Sequence, residues 1–272
     1  MLMSPHSDAR PGPLGASVLG RRALPRVALS FPARLHLGAF GLLDAHARDL
    51  GAGGICVSTP SCFALQDLRR VALLLSGGPT EVEAEGCWQL EVTGEDAFLT
   101  GIRFVDVSEQ GLERLWDVVH QQSKALTRWL LQQREFAELN LCDAVDLVHV
   151  TRMREIRAGG LLYRQGVRDD SIFIVTRGEV VFERRTPRER KLTVGRAVPG
   201  QLFGGLGVVA NSLPSESALA DCDVTLLEIS RGAFENLQLT SPPLAFQLAS
   251  LVMQSHLRRV DSALGRLVDE SR

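Results

Sequence analysis

The segment Arg21-Arg22-Ala23-Leu24-Pro25-Arg26 and the later segment Asp49-Leu50-Gly51-Ala52-Gly53-Gly54 decide the fold predicted for the first half of this chain. The first segment is an R-R-x-x-x-R run, and the second is a D-x-G-x-x-G turn. Between them, residues 27–37 alternate apolar and other side chains roughly as a half-buried strand does. The sequence therefore predicts an arginine-rich arm that enters a strand, with an acid and a glycine turn one strand later.

This order of motifs resembles the PilZ family, whose members bind the bacterial second messenger cyclic di-GMP. Residues 101–108, with the sequence GIRFVDVS, are similar to the closing strand and turn of a PilZ barrel. The clearest strand-like runs are 27–37, 55–58, 71–75, 83–88 and 98–104. Many short strands separated by turns, such as 76–79 and 93–96, favour a small antiparallel barrel. The resemblance covers residues 20–107 and implies a six-stranded β-barrel.

The resemblance also implies a ligand site on this barrel for cyclic di-GMP, a dianion that carries two guanines. A guanidinium group can donate two hydrogen bonds to phosphate oxygens and can stack on a purine, and a carboxylate can accept from the N–H edge of guanine. The family has serine where this chain has Gly51, and the missing hydroxyl is expected to weaken binding by about 1 kcal/mol without abolishing it. The implied site residues are Arg21, Arg22, Arg26, Asp49, Gly51 and Gly54.

Composition limits the function classes that remain. The net charge of −2 over 272 residues argues against bulk electrostatic binding to nucleic acid or to an anionic membrane. The five cysteines lack C-x-x-C spacing, which predicts reduced thiols in a cytoplasmic protein and no metal site. No apolar stretch approaches the length that spans a bilayer. Residues 1–19 are predicted to be disordered and not to be a signal peptide.

Catalytic motifs are not evident in the sequence. The six histidines form no H-x-x-x-H set, and no G-x-S-x-G elbow, P-loop or dinucleotide fingerprint occurs. Asp169-Asp170 is an acidic pair, but it is predicted to lie in a turn, where acids are common. The chain is therefore predicted not to be an enzyme and to need no cofactor beyond its ligand.

A long helix is predicted after the barrel. Ser108 suits the N-cap position, and the helix dipole favours Glu109 in the first turn. The apolar periodicity extends to about residue 137, so segment 108–140 is assigned as a linking helix. This helix either packs on its own barrel, couples two domains or pairs with a partner subunit.

The second half of the chain carries a different set of motifs. Residues 157–160 (RAGG), 169–175 (DDSIFIV) and 177–180 (RGEV) follow one another as in the cyclic-nucleotide-binding β-roll of the catabolite activator protein family, which they resemble. Glycines punctuate the strand-like runs and are predicted to form turns of the roll. This resemblance covers residues 141–272 and implies a β-roll with flanking helices, so the whole chain is mainly β with helices.

The phosphate cassette of that family is altered in this chain. The family places F-G-E-L early and R-S-A or R-T-A later, with the glutamate on the ribose and the arginine on the cyclic phosphate. Here Gly205 stands in place of the glutamate and Glu216 in place of the arginine, which sets a carboxylate against a phosphate. Ordinary cyclic AMP binding is therefore not expected, although backbone donors and a hydroxyl could still hold another ligand. The residues of this degenerate cassette are Gly204, Gly205, Leu206, Glu216, Ser217 and Ala218.

The last predicted helix begins at Pro242-Pro243 and continues to about residue 269. Apolar residues recur on it with alternating gaps of four and three, which predicts a heptad seam that pairs two subunits. The seam residues are Met253, Leu257, Val260, Leu264 and Leu267, flanked by the charged residues Arg258, Arg259, Asp261 and Arg266. The alternative is a seam that packs on the roll of its own chain. No helix-turn-helix follows, so direct DNA binding is not expected.

The sequence thus predicts a cytoplasmic bacterial receptor that binds cyclic di-GMP through a PilZ barrel and signals through an unidentified partner protein. Two alternatives remain open. One is a ligand-free dimeric scaffold in which both nucleotide sites are relics. The other is a cyclic AMP or cyclic GMP sensor that uses different contacts in the roll.

Overall fold

The computed structural model describes residues 26–38, 41–75, 78–92, 97–185 and 191–270, with side chains described as far as Asp261. Arg21, Arg22 and the segment 1–19 lie outside these ranges, as do the predicted turn at 93–96 and part of the turn at 76–79.

The first domain is a closed antiparallel β-barrel. Its strands are β1 (Arg26–Ala28), β2 (Pro32–Leu37), β3 (Gly41–Gly51), β4 (Gly54–Thr59), β5 (Leu68–Leu75), β6 (Gly78–Glu91) and β7 (Phe98–Asp106). Six of them close the ring in the order β2-β3-β4-β7-β6-β5, and the short β1 pairs with the far end of β3 on the same side as β2. The six-stranded barrel expected from the sequence is confirmed.

Two details of the predicted strands are wrong. The run 27–37 forms two strands and not one, since residues 29–31 leave the sheet between β1 and β2. Asp49 lies inside β3, where it pairs with Cys56, and not in a turn. The pairing register shifts between Ala47 and Asp49, and such a bulge breaks the period of two by which a strand is recognised.

Helices connect the barrel to the second domain. Helix α1 (Glu109–Leu131) begins at the predicted N-cap, where Ser108 Oγ accepts a hydrogen bond of 3.2 Å from Gly111 N. It ends earlier than residue 137 because the backbone becomes extended at Gln133 and the next turn buries Phe136 completely. Helix α2 (Leu141–His149) then packs on α1.

The second domain is the β-roll expected from the sequence. Two four-stranded antiparallel sheets have the strand orders β13-β10-β15-β8 and β12-β11-β14-β9. The strands are β8 (Arg152–Ile156), β9 (Leu161–Tyr163), β10 (Ser171–Arg177), β11 (Val180–Arg185), β12 (Lys191–Ala197), β13 (Leu202–Gly204), β14 (Ser217–Ala220) and β15 (Val224–Ser230). Turn glycines at 159, 166, 178 and 200 have positive φ, which explains their regular spacing.

Three helices complete the roll: α3 (Leu206–Ala210), α4 (Arg231–Thr240) and α5 (Pro242–Glu270). A single hydrophobic cluster runs from the inside of the barrel through α1 and α2 to one face of the roll. Strand β8 packs against β1 and β3 of the barrel. The two domains are therefore in direct contact, and β8 lies over the part of the barrel that carries Asp49. No helix within the described ranges has both the length and the apolar character needed to cross a bilayer.

Candidate ligand sites

Asp49 is the centre of the first candidate site. Ala47 and Leu50 on either side of the bulge belong to the barrel core, and Asp49 itself makes polar contacts to both domains. Its Oδ1 accepts from Arg26 Nη1 at 2.7 Å and from the Cys56 backbone N at 3.2 Å, and its Oδ2 accepts from Arg152 Nε at 3.0 Å. The side chain is fully buried although it is charged, because two arginines cover it. A buried carboxylate with this many donors is held in one orientation.

Arg26 reaches Asp49 because β1 is paired with the end of β3. The register places Arg26 opposite Gly51, which in turn lies opposite Gly54. A Cβ atom on Gly54 would lie 2.7 Å from Arg26 Nη2 and 2.3 Å from the carbonyl oxygen of Ile102. Glycine is thus required at position 54, the last of D-x-G-x-x-G, because a side chain and a neighbouring strand come too close to leave room for a Cβ atom. Four of the six predicted site residues lie together: Arg26, Asp49, Gly51 and Gly54.

The roll contributes a residue that the sequence did not indicate. Arg152 lies in β8, 103 positions from Asp49, and its side chain is 15% exposed. Its guanidinium carbon lies 5.5 Å from the centre of the Trp88 ring, within the range of a cation–π contact. Trp88 in turn lies against Gly101, where a Cβ atom would be 2.2 Å from the indole. No local motif could have predicted this contact, because it joins two domains that are distant in sequence.

Cys56 lies under the same interdomain contact. It faces Asp49 across the β3–β4 pair, and its neighbours Ile55 and Val57 point into the barrel core, so strand alternation directs Cys56 outward. The residue is nevertheless completely buried. This burial raises the pKa of the Cys56 thiol to about 11. The other four cysteines are exposed.

Next to this contact, a cleft of about 440 Å³ separates the barrel from the roll. Basic side chains from both domains line it, and they outnumber the acidic ones. The positively charged residues are Arg48, Arg157 and Arg177, and the acidic residues are Glu155 and Asp223. The electrostatics of the junction therefore suit an anionic group.

The cassette of the roll is the second candidate site, and it is filled by the protein itself. Gly205 has φ +81° and precedes α3, and a Cβ atom there would lie 2.8 Å from Ile172 and 3.0 Å from Val252 of α5. Glu216 is 6% exposed and has Arg259 of α5 as its partner, with 3.5 Å between Oε1 and Nε. The cavity left between these residues has a volume of about 10 Å³, which is room for about one water molecule.

The polar groups of the cassette are also used internally. The backbone N of Gly205 donates to the Ser171 carbonyl at 2.9 Å, and Ser217 Oγ accepts from Gln165 N at 2.9 Å. Ala218 is fully buried in β14, and Leu206 begins the short α3. Two of the groups that the sequence had left available for a ligand, the Gly205 N–H and the Ser217 hydroxyl oxygen, therefore already have partners in the protein.

Asp169 lies at the edge of the same cavity. Burial and the nearby charge of Glu228 raise the pKa of its carboxyl group to about 7. Its neighbour Asp170 behaves differently, because hydrogen bonds from Arg231 and Arg168 lower the pKa of Asp170. Within the described ranges, no group of three or more metal-binding side chains is found.

Two family models match separate parts of the chain. Residues 20–121 match the family model of the PilZ domain, and residues 153–241 match that of the cyclic nucleotide-binding domain. The chain therefore carries a PilZ domain followed by a cyclic nucleotide-binding domain. Both are regulatory nucleotide-binding domains and not catalytic families, and together they support a nucleotide second-messenger receptor.

Individual relatives cover only part of the chain. Lysophospholipase nte1 of Aspergillus fumigatus is 28% identical over 100 residues, which is 37% of this chain. The chain spans about 7% of the length of that relative and of a second nte1, from Neosartorya fischeri. A cyclic nucleotide-binding domain structure from Methylobacillus flagellatus matches 55% of this chain and 84% of its own, at 16% identity and a TM-score of 0.48. The catabolite activator protein of Thermus thermophilus matches 49% and 62%, at 26% identity and a TM-score of 0.43.

Proposed function

We propose that this chain is a cyclic di-GMP receptor in which the PilZ barrel binds the messenger. The observation that carries this proposal is the grouping of Arg26, Asp49, Gly51 and Gly54 at one place on the outer surface of the barrel. Arg26 can contact phosphate or stack on guanine, and the Asp49 carboxylate can accept from guanine N–H groups. Arg21 and Arg22 precede β1 in sequence and complete the proposed site.

Substitution of arginines tests this assignment of the site. We expect Arg22→Ala combined with Arg26→Ala to abolish binding of cyclic di-GMP, measured by equilibrium dialysis with the full chain. Arg34→Ala is the matched control, because Arg34 is an exposed arginine of the next strand and pairs with the exposed Asp44 at 3.0 Å. Unchanged affinity in the double variant would disprove the assigned site.

The roll is proposed to transmit the signal and not to sense a mononucleotide. A cyclic mononucleotide needs a cavity of several hundred Å³, whereas the cassette leaves about 10 Å³. Occupation of the cassette by Arg259 and Glu216 also favours the second candidate function, a ligand-free scaffold. Thermal unfolding with cyclic AMP, cyclic GMP and cyclic di-GMP separates the hypotheses, since a receptor is stabilised by its own ligand and a scaffold by none.

We propose that the chain passes its signal on by binding a partner protein. An open groove of about 690 Å³ between α1 and α2 has an apolar floor, with Trp116 39% and Leu141 64% exposed. One rim of the groove is basic, with His120, Lys124 and Arg128 at successive turns of α1. This combination suits an acidic amphipathic helix of the partner.

A second copy of the chain is the other proposed partner. On α5, Leu244, Leu248 and Val252 pack on the rest of the chain, whereas Met253 and Leu257 are 42% and 58% exposed. The outer stripe is therefore available to pair with α5 of a second copy. Such a homodimer would act in the bacterial cytoplasm without a cofactor and without direct contact to DNA. We propose that each chain consists of the barrel at 20–107, the linking helix at 108–140 and the β-roll at 141–272, preceded by the segment 1–19.

A further inference from the structure

We propose that Arg152 of the roll is a latch that competes with cyclic di-GMP for Asp49, so that ligand binding releases β8 from the barrel. This inference rests on the proposed function and concerns the regulation of the same site. The four residues of the proposed site that the structure describes belong to the barrel, but Arg152 belongs to the other domain. Its guanidinium holds Oδ2 of Asp49 at 3.0 Å, while Arg26 holds Oδ1 at 2.7 Å.

Competition follows from access to the carboxylate. A guanine edge donates from two adjacent N–H groups and pairs with both oxygens of one carboxylate, as other bidentate pairs do, so both oxygens must be reachable. In the structure both Asp49 oxygens already accept hydrogen bonds, and the side chain is completely buried. Arg26 belongs to the proposed site, so its guanidinium can turn from Oδ1 to the phosphate or guanine of the ligand and stay beside it. Arg152 covers the carboxylate from the roll and must leave Oδ2 before a guanine can reach it.

The strand that carries Arg152 makes this movement an interdomain event. In β8, Arg152 lies opposite Glu228 of β15, and Arg154 two residues later pairs with the same glutamate at 3.5 Å. The side chain of Arg152 also stacks on Trp88 of the barrel. Loss of the contacts to Asp49 and Trp88 removes the attachment that Arg152 makes between β8 and the barrel. Binding and undocking are then linked, since each favours the other.

Cys56, a natural residue of the chain, can serve as a reporter of this contact. It is completely buried beside Asp49, under the interdomain contact, while Cys62, Cys87, Cys142 and Cys222 are exposed. Replacement of the four exposed cysteines by serine leaves Cys56 as the only thiol of the chain. This thiol becomes accessible to reagents when β8 moves away from the barrel. The positive charge of Arg152 lowers the pKa of Cys56 and so opposes the effect of burial. Removal of Arg152 by itself would therefore slow thiol chemistry, and a faster reaction can be assigned to exposure.

The experiment measures the rate at which an uncharged maleimide labels Cys56 in this four-serine chain. We expect Arg152→Ala to accelerate labelling several-fold in the absence of any nucleotide. Arg152→Met is the second variant, because it keeps an apolar stem against Trp88 and preserves folding if the alanine variant does not. Arg184→Ala is the matched control, since Arg184 is an exposed arginine of β11, in the sheet of the roll that does not contain β8, and is expected to leave the rate unchanged. Labelling of both Arg152 variants at the parent rate would overturn the latch.

Addition of cyclic di-GMP separates failure of the latch from failure of the proposed function. With the parent chain we expect the nucleotide to accelerate labelling, and with Arg152→Met we expect it to bind several-fold more tightly than to the parent. Protection of Cys56 by bound nucleotide, or weaker binding to Arg152→Met, would overturn the latch while the receptor function stands. Absence of binding to every variant would disprove the receptor function, and the labelling rates without ligand would still decide whether Arg152 holds β8 on the barrel.

Discussion

Glu216 of the cassette and Arg259 of the last helix form an ion pair inside the roll, with 3.5 Å between Oε1 and Nε and side chains only 8% and 12% exposed. The Arg259 guanidinium also lies 4.7 Å from the centre of the Phe182 ring and donates to Ser255 Oγ at 2.8 Å. An arginine of α5 thus neutralises the carboxylate that stands where the resembled family has an arginine. This ion pair therefore joins α5 to the cassette.

Removal of Arg259 should destabilise the roll. We expect Arg259→Ala to lower the free energy of unfolding by about 2–4 kcal/mol, because Glu216 is left buried without its cation. Urea unfolding followed by circular dichroism measures the change. Arg258→Ala is the matched control, since Arg258 is 54% exposed and pairs with Glu135 on the outside of the helix. We expect it to cost less than about 1 kcal/mol, and equal losses in both variants would contradict the structural role of Arg259.

Removal of the Asp49 charge should have a comparable cost in the barrel. Asp49→Asn keeps the shape of the side chain but leaves Arg26 and Arg152 without their common carboxylate, so we expect a loss of about 3 kcal/mol. Asp44→Asn is the control on the same strand, because the Asp44 side chain is 85% exposed and its surface pair contributes at most about 1 kcal/mol. Urea unfolding of both variants measures the two losses of stability. Equal losses would contradict a structural role of the buried Asp49 charge.

Gly54 should not tolerate a methyl group. A Cβ atom at this position would lie 2.3 Å from the Ile102 carbonyl oxygen in the paired strand β7, and backbone cannot move aside cheaply. We expect Gly54→Ala to cost about 1–3 kcal/mol in urea unfolding. At Gly195, the nearest atom to such a Cβ would be 3.6 Å away, so Gly195→Ala should change stability by no more than about 0.5 kcal/mol. A neutral Gly54→Ala would show that β4 and β7 are not packed as described.

Asp169 should make the stability of the folded protein depend on pH. Its pKa in the folded protein is raised from 3.8 to about 7, so the native state binds more protons than the unfolded state between these values. Asp169 therefore lowers stability progressively as the pH rises from about 4 to about 7. We expect the unfolding temperature of Asp169→Asn to rise relative to that of the parent as the pH increases from 5 to 8. Thermal unfolding scans of both proteins measure this difference.

Asp170→Asn serves as the control for that measurement. The pKa of Asp170 is lowered by its arginine partners, so this carboxyl is ionised in both states above pH 5. We expect the stability difference between Asp170→Asn and the parent to stay constant from pH 5 to pH 8. A constant difference for Asp169→Asn as well would contradict the burial of that carboxyl group.

The outer stripe of α5 should decide the oligomeric state. If two copies pair through Met253, Leu257 and Val260, Leu257→Glu places like charges in the seam, and we expect the dimer to dissociate. Sedimentation equilibrium measures the molar mass directly. Leu239→Glu is the control, because Leu239 on α4 is 84% exposed and lies outside the stripe. A parent chain that sediments as a monomer would exclude this mode of pairing.

The sequence predicted the two domains because their signals are local. Asp49 and Gly54 lie on the two strands of the β3–β4 hairpin, and Arg26 lies on β1, which pairs with β3. The glycines of the roll fall at turns that need positive φ. Asp49 was misplaced into a turn because the bulge before it hides the alternation of β3. The contacts that cross domains could not be predicted in this way.

Arg152 and Arg259 illustrate that limit. Neither arginine belongs to a motif, and both act over long separations in the chain. Arg259 was interpreted as a charge flanking the heptad seam, but on the helix it points inward to Glu216. Only the packing of the complete chain identifies partners of this kind.

The central claim is tested most directly by calorimetric titration of the full chain with cyclic di-GMP, with cyclic AMP and cyclic GMP titrated in parallel. We expect saturable binding of cyclic di-GMP at micromolar concentration or below, and no binding of either mononucleotide, because the cassette is filled by Arg259. Binding of a mononucleotide without cyclic di-GMP would contradict the claim and place the sensor in the roll. Absence of binding for all three nucleotides would contradict it in favour of the ligand-free scaffold.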